Sequence, residues 1–533
     1  MARCATDRLV SFHGPATEPA PAERGNRTGQ RLAPTVLRGE VPILQPRLGE
    51  PLAGLTPEQH ARFLAGKAAF RRMLTPEEGL GPVHNLSACA VCHSNPVGGS
   101  GTITITMFGR MIDGRFDPLH ELGGPRLHAE AVGEQCRETL PRQANVVASR
   151  ITTSLLGVGL IEAIPDEAIL SKLQRPPNAF PGRNHQTADG PRPTDEQPPE
   201  ALHDRADEVV GGGRPTAEPL PAARPAGAHL VRAVEDRPGA PERVGRFGWK
   251  AQHATVLSFS ALAARNELGL TNRLVSEEDA PNGDDALTLL CDEVPDPEDR
   301  PDADGYDFID RVTDFARFLA APPQTPRGGM TGEIIFRRIG CADCHAPVWR
   351  TADDPALEPA LRDRVIRPYS DFLLHDMGGR GDGIVQGEAG PNEMRTPPLW
   401  GFRIRFPVMH DGRVSGATLE ERATRAILAH GGDAATSSAA FQSLSSEDKS
   451  RLIAFLDCLG RVEFDDDGDN DVDLADLPLF ARCLRGTPAR GFAPDDRCSL
   501  CDLDQNGDVN LLDFAGLQRA ITGPLPPSAM AVP

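Results

Sequence analysis

The sequence predicts a mainly α-helical protein built from several units, and three observations carry that expectation. Amphipathic stretches with helix-capping residues recur from Thr56 to Cys458, whereas alternating strand patterns are scarce. Two C-x-x-C-H pentapeptides, Cys89–His93 and Cys341–His345, lie in separate halves of the chain. A pair of acidic loops with one shared spacing follows, at Asp465–Asp476 and Asp502–Asp513.

Composition sets the limits. A chain of 533 residues suits two to four domains. Hydrophobic residues at 39% and charged ones at 25% allow buried cores, but Gly 53 and Pro 50 with 5% aromatics imply globular units separated by loop-rich stretches. A net charge of −20 argues against a nucleic-acid partner, because phosphate binding needs clustered Lys and Arg. No apolar run is long enough for a transmembrane helix. The 11 cysteines are many for a reducing cytosol.

Residues 1–50 read as a disordered N-terminal extension, and within Met1–Val41 no apolar core of a secretory signal is seen. Thr56–Leu74 reads as a helix with Thr56 as N-cap, Pro57 at its first position and Glu58 in its first turn. A further helix is expected around Pro165–Leu173. Residues 176–241 carry 13 prolines and read as a flexible insertion, because they cannot bury enough apolar surface to offset their ordering entropy. Helical spacing returns in VGRFGWKAQHATVLSFSALAARNELGL and in Asp307–Ala321, which Pro322 and Pro323 stop. Thr418–Gly432 and the stretch capped by Ser445 complete the set.

The pentapeptides carry the chemistry. Two thiols three positions apart reach the two vinyl groups of one haem, and the following imidazole ligates its iron. A zinc site from Cys89, Cys92, Cys341 and Cys344 is the alternative. Zinc pairs usually lie about 15–20 residues apart, far closer than these, and need no His after each pair. The expectation is therefore two covalently bound c-type haems, with His93 and His345 as proximal ligands. The halves also echo each other beyond the motifs: Arg150 of RITTSLLG lies 57 residues past His93, and Arg395 of RTPPLWG lies 50 past His345. A duplicated cytochrome c-like domain follows from that agreement.

The order LSACAVCHSNPVGGSG, LLGVGLIEAIPDEAIL, VGRFGWKAQ, IGCADCHAP, LLHDMGG, RTPPLWGF, MHDGR and AILAHGGDA resembles the di-haem oxidoreductase family. That family is related to the bacterial di-haem cytochrome c peroxidases and to MauG-type enzymes. The resemblance spans Pro51 to Val462 except for the Pro-rich stretch, where a shorter acidic, Gly-rich connection would be expected. It implies a peroxidase-like enzyme in which one haem takes electrons singly from a donor and the other reduces hydrogen peroxide.

Within that resemblance, His430 of AILAHGG or Met409 of MHDG is the expected sixth ligand of the second haem, with His375 and Met377 behind them. The only tyrosines are Tyr306 and Tyr369, which counts against a MauG-type Tyr ligand. For the first haem, His120 and His128 are weak candidates expected on the surface, and Met107 is weaker still. A peroxidatic haem needs an open or openable sixth position. Glu162 is the candidate for relaying a proton between the peroxide oxygens. His410 and Asp411 are candidates for orienting a ligand or a haem propionate. Trp249 of RFGWK is the candidate electron relay.

The C-terminal loops present oxygen ligands at calcium-loop spacing: Asp465, Asp467, Asp469, Asp471, Asp473 and Asp476, then Asp502, Asp504, Asn506, Asp508, Asn510 and Asp513. Position 12 is Asp rather than the EF-hand Glu, and an apolar helix follows each loop, so the pair resembles a dockerin module. Asn470 stands where Gly usually permits the sharp turn. Cys483 and Cys498 are candidates for a disulfide across this module, whereas Cys498–Cys501 lacks the His of a haem site.

The expected division is a first cytochrome c-like haem domain at 51–175, the insertion at 176–241, a helical connecting segment at 242–330, a second haem domain at 331–462, the dockerin-like module at 463–523 and a tail at 524–533. Haem attachment, disulfides and calcium favour the periplasm, cell envelope or exterior. Expected partners are a small electron-donor protein or quinol-linked donor and a cohesin-like protein for the C-terminal module. Two other functions fit the sequence: a di-haem electron carrier or oxidase of another substrate, and a surface-anchored interaction protein with vestigial haems.

Overall fold

In the computed structural model the described residues are 45–173, 227–325, 330–467, 471–484, 497–503 and 507–521. Residues 1–44 of the extension expected at 1–50 and residues 176–226 of the Pro-rich insertion lie outside them, whereas 45–50 are described and Glu50 O accepts from Ala320 N. The described residues form a mainly helical protein with small antiparallel sheets.

The first helix, α1 (Pro57–Arg71), begins at Thr56, whose hydroxyl accepts from Gln59 N while the Gln59 side chain accepts from Thr56 N. It ends three residues before Leu74. A single turn, α2 (Cys89–Cys92), carries the first thiol pair. Short helices α3 (Val158–Glu162) and α4 (Asp166–Leu173) follow. Then comes α5 (Val256–Leu268), capped by the Thr255 hydroxyl and closed by Gly269 at φ 67°. After α6 (Asp285–Cys291), α7 (Phe308–Phe318) stops well before Pro322.

The second half repeats this plan. Helix α8 (Thr331–Arg338) precedes the single turn α9 (Cys341–Cys344); α10 (Leu419–Leu428), α11 (Ala435–Gln442) and α12 (Ser446–Cys458) follow. In each half the helix before the thiol pair crosses a later one at a glycine. A β-carbon at Gly66 of α1 would run into the Arg311 carbonyl of α7, and one at Gly332 of α8 into the Arg451 carbonyl of α12. Four residues on, Phe70 packs on Phe315 at 4.8 Å between ring centroids, and Phe336 packs on Phe455 at 5.5 Å. The glycines let the backbones approach, and the rings fill the crossing.

Strands are more prominent than the sequence reading expected. The strand Thr104–Ile112 pairs antiparallel with Arg115–Asp117, Arg126–Leu127 and Val146–Ile151. Its β-branched alternation, TITIT, is the local signal for it. A smaller ladder joins Leu374–Asp376 to Glu393–Arg395. The C-terminal helices α13 (Leu477–Cys483) and α14 (Leu511–Ala520) enclose a separate small core around Phe464, Val472, Phe480 and Leu517. Among the described residues no helix is long and apolar enough to cross a membrane.

Candidate functional site

The two pentapeptides fold alike. Each thiol pair occupies one helical turn, which puts both sulfurs on one side. His93 and His345 then leave the turn with nearly the same backbone, at φ −97°, ψ 68° and φ −84°, ψ 67°. His93 N donates to Cys89 O at 3.0 Å, and His345 N to Cys341 O at 2.9 Å. In the rings, His93 Nδ1 donates to Gly99 O at 3.1 Å and His345 Nδ1 to Tyr369 O at 2.9 Å. That bond fixes the tautomer, with the proton on Nδ1 and the lone pair on Nε2, the nitrogen a metal ligand would use. Burial pushes both imidazoles down to about 4, so they stay neutral. Phe70 backs His93 at 5.7 Å and Phe336 backs His345 at 6.3 Å.

The four thiols of these turns are not in disulfides, whereas Cys136–Cys291 and Cys483–Cys498 are bonded. The second of these pairings was expected from the sequence. The first, at a sequence separation of 155, was not. Paired free thiols with a neutral imidazole beside each fit thioether attachment of haem.

The surroundings of the two imidazoles differ. His430, just past α10, lies edge-on to His345 with ring centroids 6.5 Å apart. Its Nδ1 donates to Ala426 O at 2.7 Å, so the lone pair is again on Nε2. Two metal–nitrogen bonds of about 2 Å, each extended by half a ring, span roughly the same distance. The residues therefore fit a ligand pair. Met409 adopts φ 73° in the turn between the paired Val408 and Val414, and packs into the second core. His375 has both nitrogens engaged, Nε2 with Asp371 at 2.8 Å and Nδ1 with Cys344 Sγ at 3.6 Å. Burial opposes its charge, yet Asp371 and Cys344 hold its pKa up to about 11. Met377 caps the turn Gly378–Arg380.

At the first centre, His120 is exposed, as expected. His128 is not on the surface: it is 4% exposed, with Nδ1 3.0 Å from Glu138 and Nε2 3.1 Å from Asn266 O. Both nitrogens being engaged, it offers no ligand. Met107 is buried in the strand Thr104–Ile112. Glu162 is likewise engaged at both oxygens. Oε1 accepts from Val256 N at 2.8 Å, and Oε2 pairs with Arg317, which also binds Glu358 at 2.8 Å. In this arrangement Glu162 anchors the start of α5 and is not a free proton relay.

The halves meet at Ile151. Its N–H donates to His410 O and its carbonyl accepts from Trp249 Nε1, both at 2.8 Å, while the Trp249 and His410 rings meet edge-on at 6.2 Å. The next residues reach the first thiol turn: Thr152 bonds Cys92, and the Thr153 backbone bonds His93. His410 is buried, and its Nε2 has no hydrogen-bond partner. Asp411 instead pairs with Arg413.

Sequence reasoning missed the charges around this junction. Asp382, of GRGDG, bridges Arg150 at 2.6 Å and Lys250 at 3.1 Å, with all three side chains enclosed. Arg395, at the position echoing Arg150, donates to Gly248 O at 2.7 Å. Arg395 thus holds the RFGWK segment directly, and Arg150 reaches its Lys250 through Asp382. Only their matching offsets from the two His residues hinted at it.

In the C-terminal unit, oxygens of Asp465, Asp467 and Asp476 lie within 4.8 Å of one another, as do those of Asp471, Asp473 and Asp476. Asp476 accepts from Asp466 N and Asp473 N, and Asp513 accepts from Leu503 N and Asn510 N. The position-12 carboxylate therefore closes each loop. In the second loop Asp502 accepts from Gly507 N at 2.9 Å and Asp508 is buried, while Asp469, Asp504 and Asn506 lie outside the described residues.

Compared with known families, residues 230–459 match the family described as "Di-haem oxidoreductase, putative peroxidase". The matched stretch contains RFGWK, the second thiol turn, His410 and His430, but not the first thiol turn. The match covers less than half of the chain, and at the level of reaction class it supports an oxidoreductase with haem cofactors. No curated protein matches its sequence.

Proposed function

We propose that the protein is a di-haem c-type oxidoreductase that reduces hydrogen peroxide with electrons from a small donor protein or a quinol-linked donor. The observation carrying this reading is the asymmetry of two otherwise matching imidazole sites: His345 has His430 across from it, and among the described residues His93 has no such facing imidazole. Cys341, Cys344, His345 and His430 would hold the electron-entry haem, with Met409 as the alternative ligand. Cys89, Cys92 and His93 would hold the peroxidatic haem. When bound, haem iron supplies electron storage and cleavage of the O–O bond.

The chain's own residues do the rest. The Gly99 and Tyr369 carbonyls keep the lone pair of each proximal His on Nε2 for ligation. His410, with its unpartnered Nε2 beside the segment that touches Cys92 and His93, holds and returns the proton that peroxide cleavage requires. Trp249, in edge contact with His410, spans the junction between the halves. The acidic surface steers a basic donor into a transient contact. The C-terminal loops bind calcium and offer a dockerin-like surface to a cohesin-like partner in the cell envelope or periplasm.

The test is peroxide consumption by one-electron-reduced, haem-loaded protein in calcium. Fast turnover with one centre becoming high-spin is expected. Two centres that remain low-spin and cycle reversibly without turnover would sink the peroxidase reading. The engagement of Glu162 by Arg317 favours the second reading, an electron carrier or oxidase of another substrate, and the same measurement decides between them.

A further inference from the structure

We propose that Glu278, Asp292, Asp296 and Glu298 form a calcium site in the first half of the protein, separate from the C-terminal loops. Each residue offers one oxygen, and the four oxygens all lie within 4.8 Å of one another. Calcium–oxygen bonds of about 2.3–2.6 Å place opposite ligands about 5 Å apart, so the four fit around one ion.

The carboxylates are held as ligands are held. Asp292 Oδ1 accepts from Val294 N at 3.0 Å, Asp296 Oδ1 from Thr271 Oγ1 at 2.7 Å, and Glu298 Oε2 from Thr271 N at 2.6 Å. Each is oriented through one oxygen, which leaves the second for the centre. Glu298 is only 7% exposed, and its Oε1 is buried without a hydrogen-bond partner. Both oxygens of Glu278 are buried in the same condition. Buried carboxylates without donors demand either protons or a cation.

The donor set selects the ion. All ligands are oxygens, with no imidazole or thiolate, so a hard cation is favoured over zinc or copper. Magnesium keeps several waters and takes one or two carboxylates, whereas calcium accepts six to eight oxygens in flexible geometry. The location gives it a task. Thr271 follows α5, Asp292 follows the disulfide-bonded Cys291, and Asp299 accepts from Phe308 N and Ile309 N at the start of α7. An ion here would tie those three segments together, and α7 in turn packs through Phe315 and Phe70 behind His93.

The experiment uses full-length, haem-loaded protein whose C-terminal loops are disabled by Asp476→Ala and Asp513→Ala. Calcium bound per chain is measured by equilibrium dialysis, with and without Glu278→Gln and Glu298→Gln, alongside the Tm in calcium and in chelator. The cluster substitutions should remove one calcium and abolish the calcium-dependent rise in Tm. If that variant fails to fold, Asp296→Asn at the exposed edge should weaken calcium binding roughly tenfold or more. Unchanged stoichiometry and affinity would overturn the proposal. The four carboxylates would then share protons, and Gln substitution would raise the Tm in chelator.

Discussion

The two thiol turns are built on the same C-x-x-C-H pattern, leave it with nearly the same backbone angles and fix the same imidazole nitrogen on a carbonyl. What differs is what stands across from each ring. His345 meets His430 at 6.5 Å. The segment beside His93 leads through Ile151 to His410, whose Nε2 has no partner. A motif that specifies one turn therefore leaves the surroundings of each imidazole to residues far away in the chain. The glycine crossings sharpen the same point: Gly66–Phe70 and Gly332–Phe336 give both halves one helical frame, so the difference lies in the loops set on it.

The largest test deletes one side of that comparison. Cys89→Ala with Cys92→Ala, and separately Cys341→Ala with Cys344→Ala, should each lower covalently attached haem from two per chain to one, read from the alkaline pyridine spectrum of denatured protein. Two haems surviving either change would refute thioether attachment at that turn. Next, His410→Gln should slow peroxide turnover by roughly 10²–10⁴-fold with both haem spectra unaltered. An unchanged rate would move the proton step elsewhere. His430→Ala should convert only the second centre to high spin in the electron paramagnetic spectrum. Conversion of the first centre instead would reverse the assignment.

Smaller effects probe the shared frame. Gly66→Ala and Gly332→Ala should each destabilise their own half by about 1–3 kcal/mol, because the added methyl meets backbone across the helix crossing. Calorimetry would show whether the two losses match. Glu162→Gln should cost about 1.5–3 kcal/mol through the weakened pair with Arg317, and leave peroxide turnover intact. A large loss of turnover at normal stability would restore Glu162 to the chemistry.

What was legible in the chain was local. Thr56 and Ser445 announce their helices because a cap acts over three residues. The pentapeptides announce their shared turn because one turn brings both thiols and the imidazole together, and Cys483 and Cys498 pair across a sequence separation of only 15. The strand Thr104–Ile112 was equally local, and its TITIT alternation was outweighed by the helical patterns around it. His128 was misplaced because nothing near it in sequence shows that Glu138 and Asn266 close over it.

By itself the sequence determined two thiol-and-imidazole turns, the capped helices that frame them and two acidic loops at calcium-ligand spacing. Only the tertiary structure decided that His430 faces His345, that Glu162 is taken by Arg317, that Asp382 joins Arg150 to Lys250, and that four carboxylates from Glu278 to Glu298 converge. The physical reason is range. Caps, turns and ligand spacings are set by backbone geometry over a few residues, whereas a facing ligand or a buried ion pair depends on how distant segments pack, and a one-dimensional pattern does not encode that.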